Sequence, residues 1–276
     1  MKIVHSLESL RESLEGAMRV ALVPTMGNLH AGHLRLVEQA LEHGDLVVVS
    51  IFVNPLQFGP NEDYERYPRT LEADCDKLAQ VGAHIVFAPP VDVIYPVPQQ
   101  VHVEPPPLAA ELCGAFRPGH FSGVATVVAK LFNLVQPQVA LFGKKDYQQL
   151  AVIRALVQQL NFPIDIVGVE TQRLPDGLAL SSRNGYLTEP QRAEAPRLYA
   201  TLLDIRHQVE AGRRDFAVLA EEAIGLLQQH GWRVDYVSVR CRSDLSPAAD
   251  GQALVALAAA WLGETRLIDN LEIGSR

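Results

Sequence analysis

Short apolar runs alternate with longer segments of helical apolar spacing over the first 170 residues of the chain. One run, residues 46–53 (LVVVSIFV), consists largely of β-branched and aromatic residues, as is typical of a strand buried on both faces of a sheet. Alternating strands and helices are typical of parallel βαβ units. We therefore expect a doubly wound parallel sheet, with strands at 20–23, 46–53, 85–88, 139–142 and 164–169 and helices at 33–43, 71–81, 121–135 and 146–160.

The pattern changes after about residue 175, where two helical segments precede three strand-like runs. Helices are expected at 190–212 and 215–230, and strands at 234–240, 254–261 and 266–271. Helices and strands that are segregated along the chain are typical of an α+β domain. The turn-forming sequence Leu174-Pro175-Asp176-Gly177 therefore marks the predicted boundary between an N-terminal α/β domain, 1–174, and a smaller C-terminal α+β domain, 175–276.

Two local expectations concern the N-terminal domain. The proline-rich segment 91–107 interrupts the strand–helix alternation, so it is expected to leave the sheet as a small hairpin at 100–104 or as a surface arm. Ser122 precedes an apolar helical segment and is expected to be the N-cap of that helix.

The composition is that of a globular protein, since 48% of the residues are hydrophobic and 20% are charged. A formal net charge of −8 argues against a nucleic-acid partner. Three widely spaced cysteines without a CxxC pair argue against a disulfide framework and a thiolate metal site. The apolar runs are too short to cross a membrane, and residues 1–6 lack the apolar core of a signal peptide. We therefore expect a cytoplasmic protein without a membrane partner.

The segment 24–33, PTMGNLHAGH, carries the first candidate chemistry. It follows the first predicted strand and opens a helical segment, which is where parallel α/β sheets bind ligands. His30 and His33 are three residues apart and can share one face of a first helical turn, where free N–H groups attract anions. GxGxxG, GxxxxGK[ST] and HExxH motifs are absent from the sequence. Two histidines in this context favour a phosphate-binding site over a pair of surface histidines.

The HxGH pattern resembles that of the nucleotidylyltransferase superfamily, and the longer string PTMGNLHAGH resembles the pantothenate synthetase, or pantoate–β-alanine ligase, family. Further strings that resemble this family occur in the family's order along the chain: FVNPLQF at 52–58, YPRT at 67–70, RPGHFSGV at 117–124, FGKKDYQQ at 142–149, DGLALSSRN at 176–184, AAWLG at 259–263 and RLIDN at 266–270. The resemblance therefore covers essentially the whole chain.

The resemblance implies an enzyme that condenses (R)-pantoate with β-alanine at the expense of ATP, giving pantothenate, AMP and diphosphate through a pantoyl adenylate. It also implies a Rossmann-like domain that binds ATP and pantoate over 1–174, a lid domain over 175–276, and a homodimer formed through the N-terminal domain. Mg²⁺ is expected to bridge the phosphate oxygens of ATP without a direct protein ligand, because it keeps much of its water.

The resemblance also implies roles for individual residues. Catalytic roles fall to His30, His33, Lys145 and Arg183, with His33 either donating a proton to the departing diphosphate or stabilising its charge. Pantoate contacts are expected from Gln57 and Gln149, which orient the molecule, and from Pro24, Met26 and Phe52, which lie against its gem-dimethyl group. ATP contacts are expected from Met26, Gly27, Asn28, Leu29, His30, Ala31, Gly32, His33, Gly143, Lys144, Lys145, Asp146, Gln172, Leu180, Ser181, Ser182 and Arg183.

A few positions receive a separate interpretation. Glu170 and Gln172 depart from the residues common in the family and affect the expected contacts to the adenine side, whereas Gln138 precedes a strand and is expected to have no catalytic effect. Asp74 is assigned to a solvated helix face rather than to an outer-sphere role around Mg²⁺. His120 is assigned a structural rather than a catalytic role.

Two alternatives to the ligase remain. A transferase of the same superfamily that moves AMP onto a phosphate ester shares HxGH but needs no pair of substrate-binding glutamines. A non-catalytic nucleotide-binding protein on this fold predicts losses among the histidines, Lys145 or Ser182-Arg183, and these residues are all present. Gln57 and Gln149 together favour the ligase.

Overall fold

The computed structural model describes residues 1–60 and 62–274. Contacts divide the chain into two compact units. The first unit comprises Met1–Gly143 and Val152–Glu170, and the second comprises Lys144–Ala151 and Thr171–Arg276. The division therefore falls shortly before Leu174, and the segment that carries the two adjacent lysines is grouped with the C-terminal residues.

The first unit contains a six-stranded sheet whose strand pairs are all parallel. The strand order is β1-β4-β3-β2-β5-β6, so the winding direction reverses between β2 and β5. In open α/β sheets, ligands bind beyond the carboxyl ends of the strands at such a reversal. The strands are β1 (Lys2–Val4), β2 (Val20–Thr25), β3 (Leu46–Ile51), β4 (Ile85–Phe87), β5 (Val139–Gly143) and β6 (Asp165–Val169).

The predicted α/β class is confirmed, and the pattern of burial explains it. Val47, Val48 and Val49 of β3 are all fully buried, as expected for a strand covered on both faces. The helices associated with this part of the chain are α1 (Leu7–Leu14), α2 (Ala31–His43), α3 (Leu71–Gln80), α4 (Val91–Ile94), α5 (Cys113–Phe116), α6 (His120–Val135) and α7 (Tyr147–Gln159). The short elements β1 and α1 were not predicted, because their few apolar positions give little periodic signal.

Two local expectations were wrong, and one of the two alternatives for segment 91–107 is excluded. Residues 101–106 form no strand, so there is no hairpin at 100–104. Helix α6 begins at His120 after Gly119, whose φ of +81° favours glycine, so Ser122 lies inside the helix and its hydroxyl donates to Val103 O. The predicted helix at 190–212 is two helices, because the chain breaks at Pro196.

The second unit contains an antiparallel three-stranded sheet in the order β7-β8-β9. Its core includes the fully buried Leu202, Leu219 and Leu227 of the helices together with Ala256 and Ala260 of β8. The elements are α8 (Glu189–Glu194), α9 (Arg197–Glu210), α10 (Phe216–Gln229), β7 (Arg233–Cys241), β8 (Leu254–Leu262) and β9 (Thr265–Ile273). This confirms the predicted α+β unit.

In the part of the chain that the structure describes, no helix combines the length and hydrophobicity that crossing a membrane requires.

Candidate active site

The loop between β2 and α2 has a backbone conformation that its sequence makes possible. Gly27 and Asn28 both have positive φ, +83° and +51°, and glycine and asparagine are the residues that adopt this region most readily. A Cβ at Gly27 would lie 3.1 Å from Ile51 Cγ2 and 3.3 Å from Asp74 Oδ2. The glycine is therefore required both for the turn and for the close approach of Asp74.

The two histidines cap the helix that follows this loop. His30 is the N-cap of α2, and its Nδ1 accepts a hydrogen bond from Gly32 N at 3.1 Å. His33 Nδ1 accepts from His30 N at 3.3 Å, and the two ring centroids are 4.1 Å apart. Because a backbone N–H is always a donor, each Nδ1 is unprotonated and each proton resides on Nε2. Two Nε2–H donors at a helix N-terminus suit an anionic ligand.

Asp74 is buried and accepts hydrogen bonds from the loop between β2 and α2, so its assignment to a solvated helix face was wrong. It lies on α3, its exposed fraction is 0%, and its carboxylate accepts from Asn28 N and Leu29 N, both at 2.8 Å. The Thr70 hydroxyl donates to it at 3.0 Å. Lys77 Nζ lies 3.7 Å from Asp74 Oδ1 and donates to Leu29 O at 2.7 Å. The acceptor oxygens of this carboxylate are thus directed at the backbone that precedes His30.

Gln57 is held with a defined amide orientation at the end of a short 3-10 turn after β3. It is 8% exposed, and its Oε1 accepts from Asn54 Nδ2 at 3.1 Å. Its Nε2 lies 2.8 Å from Met26 Sδ. Tyr95 donates its hydroxyl to Asn54 Oδ1 at 2.7 Å, and burial raises the pKa of Tyr95. The structure therefore brings the predicted pantoate residues Gln57 and Met26 together.

The segment 117–120 holds the backbone at Gln57. His120 Nδ1 donates to Gln57 O at 2.8 Å, so His120 Nε2 is the acceptor that faces Arg117 Nη1 at 3.0 Å. Arg117 also donates to both carboxylate oxygens of Glu62 at 2.6 Å. Burial alone would raise the pKa of Glu62, but the hydrogen bond and charge of Arg117 bring it below the usual value. Gly123 of α6 permits this packing, since a Cβ there would lie 2.1 Å from Leu56 O.

In the second unit, Lys144 and Lys145 lie in a 3-10 turn before α7 and have different partners. Lys144 Nζ lies 3.1 Å from Glu272 Oε2, which also lies 2.8 Å from Arg242 Nη2. Lys145 Nζ lies 3.9 Å from the half-exposed Asp146. Lys144 therefore has a closer carboxylate partner than Lys145.

Glu272 is the centre of a small, partly buried network. The Tyr147 hydroxyl donates to Glu272 Oε1 at 2.9 Å. Burial, with the Glu272 carboxylate next in importance, raises the pKa of Tyr147 to about 12, so this tyrosine remains a donor. Burial would also raise the pKa of Glu272, but Tyr147, Lys144 and Arg242 together lower it. This network fixes the first turn of α7, on which Gln149 lies.

The segment 172–184 folds into a tight loop. Leu180 N donates to Gln172 O at 2.9 Å. Ser181 caps a 3-10 helix, Ser182–Tyr186, and its Oγ accepts from Arg183 N at 3.2 Å. Gly177 has a φ of +93°, and a Cβ there would lie 2.5 Å from Tyr199 Cδ1. The structure thus connects Gln172 to Leu180, the residue before the predicted phosphate-binding residues Ser181–Arg183.

A buried ion pair underlies this loop. Arg173 donates to both carboxylate oxygens of Asp269 at 2.7 and 2.8 Å, and Asp269 is 4% exposed. Burial raises the pKa of Asp269, whereas the Arg173 guanidinium and the Asn270 N–H oppose that rise.

A sequence model of the pantoate-beta-alanine ligase family matches residues 2–272. The chain belongs to this family. A pantothenate synthetase from Thiobacillus denitrificans is 61% identical over 277 positions, which cover 100% of this chain and 98% of the relative. A pantothenate synthetase from Neisseria meningitidis serogroup B is 57% identical over 99% of both chains.

Solved structures of the pantoate–β-alanine ligase family share the fold. The crystal structure of pantothenate synthetase from Thermus thermophilus has a TM-score of 0.93 and 49% identity, with 99% of each chain covered. The Francisella tularensis pantoate-beta-alanine ligase, described as complexed with beta-gamma ATP and beta-alanine, has a TM-score of 0.84 and 35% identity, with 99% and 97% covered. The predicted family, fold class and ligase activity in pantothenate biosynthesis are therefore confirmed. The roles of individual residues stay predictions.

Several residues that hold the segments with predicted site residues, each within its own unit, carried no functional prediction: Asn54, Asp74, Arg173, Asp269 and Asn270. Asn54 and the pair Asp269-Asn270 lie inside strings that resemble the family, so a signal for them existed. Asp74 carried a weaker signal, since only its position on the buried face of α3 distinguishes it from the exposed Glu72 and Asp76.

Proposed function

We propose that this enzyme makes pantothenate in two substitution steps. In the first, a carboxylate oxygen of (R)-pantoate attacks the α-phosphorus of ATP, the bond to the bridging oxygen breaks, and diphosphate leaves. In the second, the amine of β-alanine attacks the acyl carbon of the pantoyl adenylate, loses a proton, and displaces AMP. Adenylation is needed because oxide is a poor leaving group, whereas AMP is a good one.

The observation that carries the proposal for the first unit is the matched orientation of His30 and His33. Both rings accept at Nδ1 from the backbone, so both carry Nε2–H at the N-terminus of α2. In this proposal the two Nε2–H groups donate to phosphate oxygens while charge grows on the departing diphosphate. His33 either transfers its proton to diphosphate or stabilises it through the hydrogen bond alone.

The second unit supplies the remaining phosphate contacts in this proposal. Lys145 neutralises phosphate charge, because Lys144 is engaged with Glu272. Ser182 and Arg183 donate to phosphate oxygens from the 3-10 turn that Ser181 caps. Backbone and side-chain contacts to ATP come from the other residues of 26–33, 143–146 and 180–183 and from Gln172.

Pantoate is oriented by paired amides in this proposal. Asn54 donates to Gln57 Oε1, which fixes the amide of Gln57 so that its donor group faces Met26. Gln57 and Gln149 then hold the hydroxyl and carboxylate groups of pantoate, and Pro24, Met26 and Phe52 contact its gem-dimethyl group. Holding both reactants in place supplies much of the rate.

Magnesium, assembly and location complete the proposal. In the described residues, His, Cys, Asp and Glu side chains form no group of three that could hold a metal ion. ATP phosphates would therefore hold Mg²⁺, which would neutralise part of their charge. The second unit serves as a lid that protects the mixed anhydride from water. The enzyme works as a homodimer in the cytoplasm, where its three free cysteines stay reduced.

The test measures the two half-reactions separately. With pantoate labelled with ¹⁸O in its carboxylate, one label should appear in AMP, and AMP release should need ATP, Mg²⁺, pantoate and β-alanine together. His33→Ala should reduce adenylate formation about 10²-fold or more with ATP binding retained. His43→Ala, at the other end of α2, is the matched control and should leave the rate unchanged.

Two outcomes would contradict the proposal. ATP binding without turnover would favour a non-catalytic nucleotide-binding protein. Transfer of AMP onto a phosphate ester instead of pantoate would favour the other transferase of the superfamily.

A further inference from the structure

Arg173 forms one partly buried network in the second unit with two consecutive residues, Asp269 and Asn270, that follow it by 96 and 97 positions. Arg173 pairs with Asp269 through two hydrogen bonds, at 2.7 and 2.8 Å. The guanidinium carbon of Arg173 lies 3.8 Å from the centroid of the Tyr199 ring. Asn270 N donates to Asp269 Oδ1 at 2.7 Å, which joins the third residue to the ion pair. Burying two charges is costly, so a network of this kind calls for a role beyond stability.

One arm of the network holds the loop that leads to Ser181. Arg173 Nη1 also donates to Gly177 O at 3.1 Å, and Arg173 Nη2 donates to Asn270 O at 3.1 Å. Arg173 and Ala179 form an antiparallel bridge across the loop. The position of Arg173 therefore sets the path of the backbone into Ser181–Arg183.

The other arm holds the lysine turn. Asn270 Nδ2 donates to Lys144 O and to Lys145 O, both at 2.8 Å. The side-chain NH₂ group thus uses its two hydrogens on two consecutive carbonyls. An aspartate at this position would present an acceptor to both carbonyls, and an alanine would present no donor.

We propose that Arg173, Asp269 and Asn270 are positioning residues that fix the lysine turn and the 177–183 loop relative to each other. The inference rests on the proposed function, in which Lys145, Ser182 and Arg183 contact the phosphates of ATP. Because both segments are tied to Asp269 and Asn270 of β9, one of them through Arg173, a shift in this unit displaces phosphate donors on both. A displacement of about 1 Å can cost about 10²-fold in rate.

The decisive variants are Asn270→Asp and Arg173→Lys, with Arg266→Lys as the matched control. Arg266 pairs with Asp235 at 2.8 Å, is comparably buried, and joins β9 to β7 within the same sheet. We expect the first two variants to lower kcat/KM for adenylate formation about 10²-fold. The control should lose a similar amount of thermal stability and keep its rate. In Asn270→Asp and Arg173→Lys, acyl transfer from pre-formed pantoyl adenylate should change less than adenylate formation, and in Arg266→Lys both rates should stay unchanged.

If Asn270→Asp does not fold, the milder variant Asn270→Ser can replace it in the test. Asn270→Ser retains one hydroxyl donor, and we expect an intermediate loss with a larger effect on KM for ATP than on KM for β-alanine. Rate losses that follow thermal stability equally in Arg173→Lys and Arg266→Lys would overturn the inference.

A separate measurement distinguishes failure of this inference from failure of the proposed function. Amide hydrogen exchange at 144–146 and 177–183 should increase in Asn270→Asp and not in Arg266→Lys, whatever those segments bind. If exchange changes as expected but Lys145→Ala and Arg183→Ala bind ATP normally, the proposed ATP contacts are wrong. If exchange does not change, the positioning network is wrong.

Discussion

The loop before His30 and the loop before Ser181 are both held by a buried carboxylate, but in opposite ways. Asp74 accepts hydrogen bonds from the backbone N–H groups of its loop. Asp269 instead holds Arg173, and Arg173 donates to Gly177 O of its loop. The first loop therefore presents N–H groups to its carboxylate, and the second presents a C=O group. A carboxylate can accept hydrogen bonds from the N–H groups directly, whereas the C=O group needs a donor between it and the carboxylate.

The largest effect is expected from a substitution in the Arg173–Asp269 ion pair, which holds the loop before Ser181. Asp269→Asn leaves the Arg173 guanidinium buried without its counter-charge, and we expect a loss of roughly 3–5 kcal/mol in the free energy of unfolding. Urea denaturation followed by circular dichroism measures this loss. The double variant Arg173→Met/Asp269→Leu should lose less, because it removes both charges. A double variant that is less stable than Asp269→Asn would contradict the ion-pair argument.

The next largest effect is expected from a substitution of Asp74, which holds the loop before His30. Asp74→Asn replaces one acceptor oxygen with an NH₂ group that faces a backbone N–H, so we expect a loss of about 2 kcal/mol and slower adenylate formation. Urea denaturation and an AMP-release assay measure the two effects. The matched control is Asp76→Asn, an exposed position on the same helix, which should change stability by less than about 0.5 kcal/mol. Equal effects at the two positions would show that Asp74 does not anchor the loop.

The glycines of the two loops sharpen the comparison. Gly27 and Gly177 have positive φ and crowded surroundings, whereas Gly212 has a φ of +103° with no atom within 4 Å of an added Cβ. Gly212→Ala should cost about 1 kcal/mol from backbone strain, and Gly27→Ala and Gly177→Ala about 2 kcal/mol each. Thermal unfolding of the three variants measures the difference. A cost at Gly212 equal to the other two would indicate that crowding adds nothing.

The smallest expected effect is a pH dependence of the free energy of unfolding, caused by Glu62, the partner of Arg117 near the Gln57 backbone. The folded-state pKa of Glu62 lies below 4.5, because Arg117 outweighs the effect of burial. A lowered pKa means that the carboxylate contributes stability above the unfolded pKa and loses it as the pH falls through the folded pKa. The difference in unfolding free energy between the wild type and Glu62→Gln should be about 1 kcal/mol at pH 7 and should shrink below about pH 4.5. A difference that stays constant from pH 7 to pH 3 would contradict this assignment.

Much of the fold could be predicted because it depends on local pattern. The apolar run at 46–53 contains a strand, Leu46–Ile51, whose four central residues are buried, and the segment at 215–230 contains a helix, Phe216–Gln229. Elements with few apolar residues, such as β1 and α1, gave no comparable signal. The break at Pro196 was missed because helical apolar spacing continues on both sides of it.

The sequence by itself determined the family, the fold class and the predicted site residues, since PTMGNLHAGH, FVNPLQF and FGKKDYQQ are contiguous strings. Tertiary structure alone decided how those side chains are held. It buried Asp74 beneath a loop 45 residues away in sequence and placed Asp269 against Arg173, 96 residues away. The physical reason is that the spacing of apolar and polar residues along the chain indicates only which residues share a face of one helix or strand. The desolvation and hydrogen bonding of a charged side chain depend instead on which distant segments pack around it.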